Sequence, residues 1–248
     1  MLAAMLRLQR SLPALFLALI TLFAIWTTAR AEGYPCDPPN LLPRDVCGMD
    51  SFRGSPPREI PNGWNEFVLS GDLTYMRDED STSPPSLRMW SDGGTFKAGI
   101  YTQAQVTPGA GYRASIEWAA PDPSYADTFG RELGMDPTGG TDPKASTVIW
   151  GPIHWGAGRI MNYPMGIGPN IDVVARARAD VMTVFFLVDH PYSTGNNLIF
   201  IDTIALFPDE SAAPLATYLP ALLRAAPRVE QAAADRAPTH QAGGASTP

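Results

Sequence analysis

The chain has 248 residues, 45% hydrophobic and 17% charged, a balance that suits one or two globular domains and excludes a disordered polymer. Its net charge is −7, and only two of its 18 basic residues are lysines, Lys97 and Lys144. No basic stripe is therefore present to follow a phosphate backbone, and nucleic acid is excluded as a partner. The 25 prolines and 22 glycines punctuate the chain too often for long helices and favour an all-β architecture.

In chain order, Arg7 and Arg10 precede an uncharged apolar stretch from Leu12 to Trp26, and Ala29-Arg30-Ala31 has the small-x-small form of a cleavage site. Residues 1–31 are expected to be a secretory signal peptide. The other reading is a retained anchor, because Ser11 to Ala29 is uncharged and long enough to cross a bilayer. Removing these residues, which carry three arginines and no acid, leaves 217 residues and takes the net charge from −7 to −10. The only two cysteines, Cys36 and Cys47, follow directly, and in an exported protein such a pair is expected to form one disulfide. The short ring it closes contributes about 3 kcal/mol in chain-entropy terms.

Residues 32–60 are rich in proline and turn formers and are expected to be an irregular, stapled lead-in. A sandwich domain is predicted over 61–208, because short β-prone runs recur there between turn clusters. The clearest strands are predicted over 96–106, 112–119, 147–150, 171–178, 181–188 and 198–207. Asp136 and Asp142 bracket a Gly-Gly segment that reads as a turn.

Period-two alternation then divides residues between faces. One strand sets Phe96, Ala98, Ile100, Ala104 and Val106 against Lys97, Tyr101, Gln103 and Gln105. The next sets Tyr112, Ala114, Ile116 and Trp118 against Arg113, Ser115 and Glu117. The two are expected to be neighbours with a shared polar face. Trp64 and Trp118 are assigned to the core, and 184–188 to a central strand covered on both sides. From residue 209 the chain turns Ala-rich and Pro-broken, and 209–248 is expected to be a largely disordered tail, with no stretch apolar and long enough to span a membrane.

Six stretches occur in order, Met49-Asp50-Ser51-Phe52-Arg53-Gly54, Pro61-Asn62-Gly63-Trp64, Ser86-Leu87-Arg88-Met89, Gly99-Ile100-Tyr101-Thr102-Gln103, Val106-Thr107-Pro108-Gly109-Ala110-Gly111-Tyr112-Arg113 and Phe200-Ile201-Asp202-Thr203-Ile204-Ala205-Leu206. Together, in this order, they resemble carbohydrate-binding modules of families 4 and 9 and related galactose-binding-like jelly rolls. The resemblance covers about residues 49–207. It implies a jelly-roll β-sandwich of two antiparallel sheets that binds a glycan on a concave sheet face or at the loop edge. It also implies a structural calcium, with Asp202 at the position whose carboxylate usually reaches the metal and Asp50 in the opening motif. Arg53 stands where that motif often carries a second acidic ligand, and the alternative for Asp202 is that it caps a turn or pairs with an arginine.

Sugars present C–H faces to aromatic rings and hydroxyls to donors and acceptors. Tyr101, Gln103, Arg113 and Glu117 supply that mixture, with Trp150, Trp155 and Tyr163 placed to reach the rim. His154, His190 and His240 are isolated, and neither a nucleophile elbow nor a phosphate-cradling loop is present in the sequence. The expected function is therefore exported, non-catalytic binding of a poly- or oligosaccharide, secreted or at the cell surface. The alternative is a structural or adhesive protein using the sandwich for contacts with other surface proteins, and the third reading is a small glycan hydrolase or lyase.

Overall fold

A computed structural model describes residues 34–80, 84–121, 129–156, 159–161, 171–192 and 196–212. The signal segment, Tyr163 and the tail beyond residue 212 lie outside them. Among the described residues one short helix, α1 (Arg44–Cys47), precedes fourteen strands. These are β1 (Phe52–Ser55), β2 (Arg58–Pro61), β3 (Asn65–Gly71), β4 (Thr74–Asp78), β5 (Ser86–Asp92), β6 (Phe96–Gln105), β7 (Gly111–Pro121), β8 (Phe129–Asp136), β9 (Ile149–Trp150), β10 (His154–Gly156), β11 (Ile160–Met161), β12 (Ile171–Arg176), β13 (Val181–His190) and β14 (Asn196–Pro208). Among the described residues no helix is long and apolar enough to cross a membrane.

The strands form two sheets, as the all-β sandwich reading requires. One runs β1-β2-β4-β5-β14-β7-β11, with β12 also on β7. The other runs β10-β8-β13-β6-β3, with β9 also on β8. The core between them is built by alternation. Ala98, Ile100 and Ala104 of β6 and Val184, Phe186 and Val188 of β13 meet Leu87 and Met89 of β5, Ala114 and Ile116 of β7 and Ile199 and Ile201 of β14. Trp64 is fully buried in this core, and its indole Nε1 donates to the Val46 carbonyl at 2.7 Å.

Two features differ from the sequence reading. First, β6 and β7 are not neighbours. The intervening turn crosses from one sheet to the other, with Val106 N donating to Asp180 O at 2.8 Å and Ala177 N to Ala110 O at 2.9 Å on the way. Second, Trp118 is buried but not in the main core; it packs with Phe200 in a separate cluster. The cause is a change of phase. In β7 the core residues are Tyr112, Ala114 and Ile116 up to Glu117, and Ala119 after it; in β14 they are Ile199 and Ile201 before Thr203, and Ile204 and Leu206 after it, with the small Ala205 between them also buried. Thr203 has φ +57°, and the ladder passes from Asp202↔Trp118 to Ile204↔Ile116 around it.

The lead-in is more ordered than its composition suggests. Cys36 and Cys47 are bonded, with Cα atoms 5.5 Å apart. The β1–β2 hairpin extends the eight-stranded sheet. Leu41 N donates to Leu206 O at 2.8 Å and Leu206 N to Asn40 Oδ1 at 3.0 Å, so residues 40 and 41 line β14 past the last residue that β5 pairs. At the other end, 209–212 pack on the sandwich rather than beginning a loose tail, with Asp209 N donating to Gly111 O at 2.8 Å.

Candidate functional site

Because β6 and β7 belong to different sheets, Tyr101 and Gln103 share one outer face while Arg113 and Glu117 lie on the opposite side of the sandwich. The expected four-residue face is therefore divided two and two.

The outer face of the six-stranded sheet can be read in rows across the strands from their register. One row is Asn65, Tyr101, Phe185, Gly134 and Trp150; the next is Phe67, Gly99, Leu187 and Glu132; a third is Lys97, Asp189, Gly130 and Trp155. Successive strands stand about 4.8 Å apart, so a five-strand row extends on the order of 19 Å. Phe185 and Leu187 are buried at the centre. Around Phe185, ring centroids lie at 5.7 Å for Tyr101, 5.9 Å for Trp150 and 6.0 Å for Phe67. The central strand is thus apolar on both faces, as expected, and its outward face is covered by aromatic rings.

Glycines make room for those rings. A Cβ on Gly134 would stand 2.6–2.9 Å from three carbons of the Trp150 ring, and one on Gly130 would stand 3.0 Å from two carbons of Trp155. Glycine weakens a strand interior, and such positions mark where another group approaches the backbone closely. Trp150 and Trp155 are laid over β8 in this way, half-buried and 48% exposed respectively.

Their approach is fixed from beneath and beside. Asp136 is fully buried; it accepts from Thr138 N at 2.8 Å, Thr138 Oγ1 at 2.6 Å and Thr147 Oγ1 at 2.7 Å, and so clamps the segment leading to β9. Asp142 accepts from Lys144 N at 2.9 Å in the same loop, which agrees with the turn reading of both residues. Arg131 faces the core and donates to the Gly156 carbonyl at 3.1 Å beside Trp155. Burial lowers its guanidinium to about 10, which still leaves it charged at neutral pH.

Polar groups border the rings. Gln103 is exposed and donates to Gly139 O at 2.8 Å. Lys97 Nζ and Asp189 Oδ2 pair at 2.8 Å. Burial raises the pKa of Glu132; Lys97 opposes that rise and Asp189 adds to it. The face can therefore stack the C–H side of a ring and exchange hydrogen bonds with hydroxyls along its margin. Glu132 and Phe185 carry no local mark in the sequence as binding residues, since one sits in a Gly-interrupted run and the other in an apolar one.

The opposite face is committed to structure. Arg113 Nε donates to Asp209 Oδ2 at 2.6 Å, its Nη1 pairs with Asp172, and Nη2 reaches Ser211 Oγ at 3.5 Å. Glu117 accepts from Ser115 Oγ at 2.9 Å, and burial raises its pKa against that bond.

Asp202 is buried, and its Oδ1 accepts from Thr203 N at 2.7 Å, while Asp50 is exposed. Tyr34 lies near both. Burial raises its phenol; the hydrogen bond with the Thr203 side chain and the Arg44 charge oppose that, and Asp202 and Asp50 add to it. Calcium takes six to eight oxygens. Asp202 and Asp50 could supply some of these, with backbone carbonyls and waters for the rest; among the described residues no group of three or more His, Cys, Asp or Glu converges.

The sequence matches no protein-family model and no curated protein. Among solved structures it is similar to a family 61 carbohydrate-binding module in complex with β-1,4-galactotriose (13% identity, 68% of this chain and 99% of that one, TM-score 0.41). It is also similar to the K1 cleaved adhesin domain of Lys-gingipain from Porphyromonas gingivalis W83 (16% identity, 65% and 96%, TM-score 0.39). A third is a structure described as a family 4 carbohydrate-binding module (11% identity, 71% and 97%, TM-score 0.33).

Proposed function

We propose that this protein is an exported, non-catalytic glycan-binding module whose site is the outer face of the six-stranded sheet. The observation that carries this reading is the pair of tryptophans laid over Gly130 and Gly134, with Tyr101, Gln103 and Glu132 on the same face. An indole held against a sheet by missing side chains keeps its outward side available to stack on a sugar ring, and nearly half of Trp155 is exposed. The ligand is a poly- or oligosaccharide lying across the strands. Tyr163 of the expected rim lies outside the described residues, and Arg113 and Glu117 are not part of the site. A family 4 or 9 assignment rests on the quoted motifs. Calcium at Asp202 and Asp50 is an expectation of that resemblance on which nothing in this reading depends.

A glycan array followed by titration calorimetry tests the proposal. Trp155→Ala should weaken binding at least tenfold with the melting temperature unchanged, because the side chain is exposed and truncation leaves the core intact. Failure of the wild type to bind any glycan would leave adhesion through protein contacts as the reading. Export is tested separately by mass spectrometry of the culture-medium protein, where an amino terminus at Glu32 is expected and an intact Met1 end would refute signal cleavage.

A further inference from the structure

A second concavity lies where the chain passes from β3 to β4 and from β5 to β6, away from the aromatic face. It has a volume of about 550 Å³, within the range of small-ligand sites, and one wall is the half-buried Trp90. Asp72 and Asp92, both exposed, stand on its rim, with Thr74, Ser91 and Thr95 between them. Close packing shapes its floor. Gly71, with φ +77°, brings the end of β3 against Thr95, where a Cβ would meet the Thr95 carbonyl at 2.0 Å. Gly94 leaves room for the Ser91 hydroxyl, 2.6 Å from where its Cβ would be. Thr74 Oγ1 donates to the Trp90 carbonyl at 3.4 Å, which ties the two walls together. Asp72 and Leu73 also border a neighbouring cavity of about 310 Å³ that reaches Arg58 and Val68, so the hollow is open at one side to a longer ligand.

The chemistry of the lining is selective. An aromatic wall offers a stacking surface, two carboxylates offer only acceptors, and three hydroxyls serve as donor or acceptor. Among the described residues no lysine, arginine or histidine lines the larger cavity. Hydroxyl-rich neutral ligands suit that set, because vicinal hydroxyls can donate to Asp72 and Asp92, whereas an anionic ligand meets two like charges. We propose that this cavity is a second carbohydrate site, selective for a neutral glycan over a uronic-acid-containing one. The proposal rests on the reading of the protein as glycan-binding, but on different residues and a different surface.

The experiment follows indole signals by heteronuclear NMR in the full exported chain. Four neutral trisaccharides (cellotriose, xylotriose, mannotriose and β-1,4-galactotriose) are compared with trigalacturonic acid. In the Trp155→Ala protein a neutral trisaccharide should still shift the Trp90 indole saturably. Asp92→Asn should weaken that response at least tenfold, with the melting temperature held, since hydrogen bonds to charged acceptors are the strong ones. Shifts at Trp150 and Trp155 of the wild type with none at Trp90 would overturn this inference and leave the sheet-face site standing. Shifts at Trp90 alone would uphold it and remove the sheet face. Equal binding of trigalacturonic acid would overturn the assigned selectivity, and silence at every indole across the panel would overturn both sites.

Discussion

On the outer face of the six-stranded sheet, Trp150 and Trp155 lie over glycines and leave ring surface open; on the outer face of the eight-stranded sheet, Arg113 is locked between Asp172 and Asp209. Arg176 does the same nearby, donating to the carbonyls of Gly109 and Ala212 and pairing with Glu210. Both faces alternate in sequence, and both hold charged groups. What separates them is where the partners come from. Arginine on the second face meets acceptors from the segment that follows β14, residues 209–212, together with Asp172 and the Gly109 carbonyl, and holds that segment on the sheet. On the first face the rings cover Phe185 and nothing from the described chain covers the outer side of Trp155.

The largest effect that would break this contrast is expected at Gly134. Gly134→Val places carbons within 2.6 Å of the Trp150 ring, and the ring must leave the sheet. Overpacking of this kind costs about 1–3 kcal/mol. Glycan binding at the sheet face should be lost together with a fall in melting temperature, read by calorimetry and a thermal melt on the same sample. Unchanged binding would mean that Trp150 is not part of the site.

A smaller and opposite outcome is expected at Arg113. Arg113→Met removes ion pairs that are about a third exposed, so the loss of stability should be about 1 kcal/mol, and glycan affinity should not change. A tenfold loss of affinity in a protein that still melts normally would return Arg113 to the binding surface.

The smallest effect concerns pH. Hydrogen bonds from the Ser211 hydroxyl and backbone N–H, and then the bond from Arg113, hold the Asp209 carboxyl at about 2, below its ordinary 3.8. The folded state thus binds this proton less readily than the unfolded one. The stabilisation is complete above the ordinary value and lost as pH falls from about 4 towards 2. The melting temperature of Asp209→Asn should fall less steeply than that of the wild type across that window. Parallel slopes would show that the carboxylate contributes nothing to holding residues 209–212.

Of the six strands expected, the long ones, β6, β7, β13 and β14, fall where the apolar pattern puts them, β12 is shorter than expected, and the expected strand over 147–150 shrinks to β9 (Ile149–Trp150). The β8 strand was not legible. Gly130 and Gly134 read as breakers in isolation, and the reason for them is two indoles that arrive from about twenty residues downstream. The candidate site was half legible for a related reason. Alternation says which residues of one strand share a side, but not which sheet the strand joins, and a turn of Thr107 to Ala110 serves a hairpin or a crossing equally well. Tyr101 and Gln103 were therefore grouped with Arg113 and Glu117, from which the thickness of the sandwich divides them. Trp118 is buried as expected, but in a cluster with Phe200 apart from Ile116, because the core phase of β7 changes at Glu117, opposite the positive φ of Thr203, which strict alternation does not foresee.

That shared inversion bears on how the chain can change length. Since β7 and β14 switch phase at the same pair, each inversion conceals the other and their hydrogen-bond register runs on unbroken. Ile201 and Ile204 stand one residue further apart than plain alternation requires, so deleting one residue beside Thr203 would leave Ile204 and Leu206 facing the core and set one residue of β14 against two of β7 beside Glu117, as a β-bulge does, whereas a matched deletion beside Glu117 would restore one-to-one pairing. Loss of a single residue is therefore better absorbed here than elsewhere in these two strands, where it would turn every later side chain to the other face.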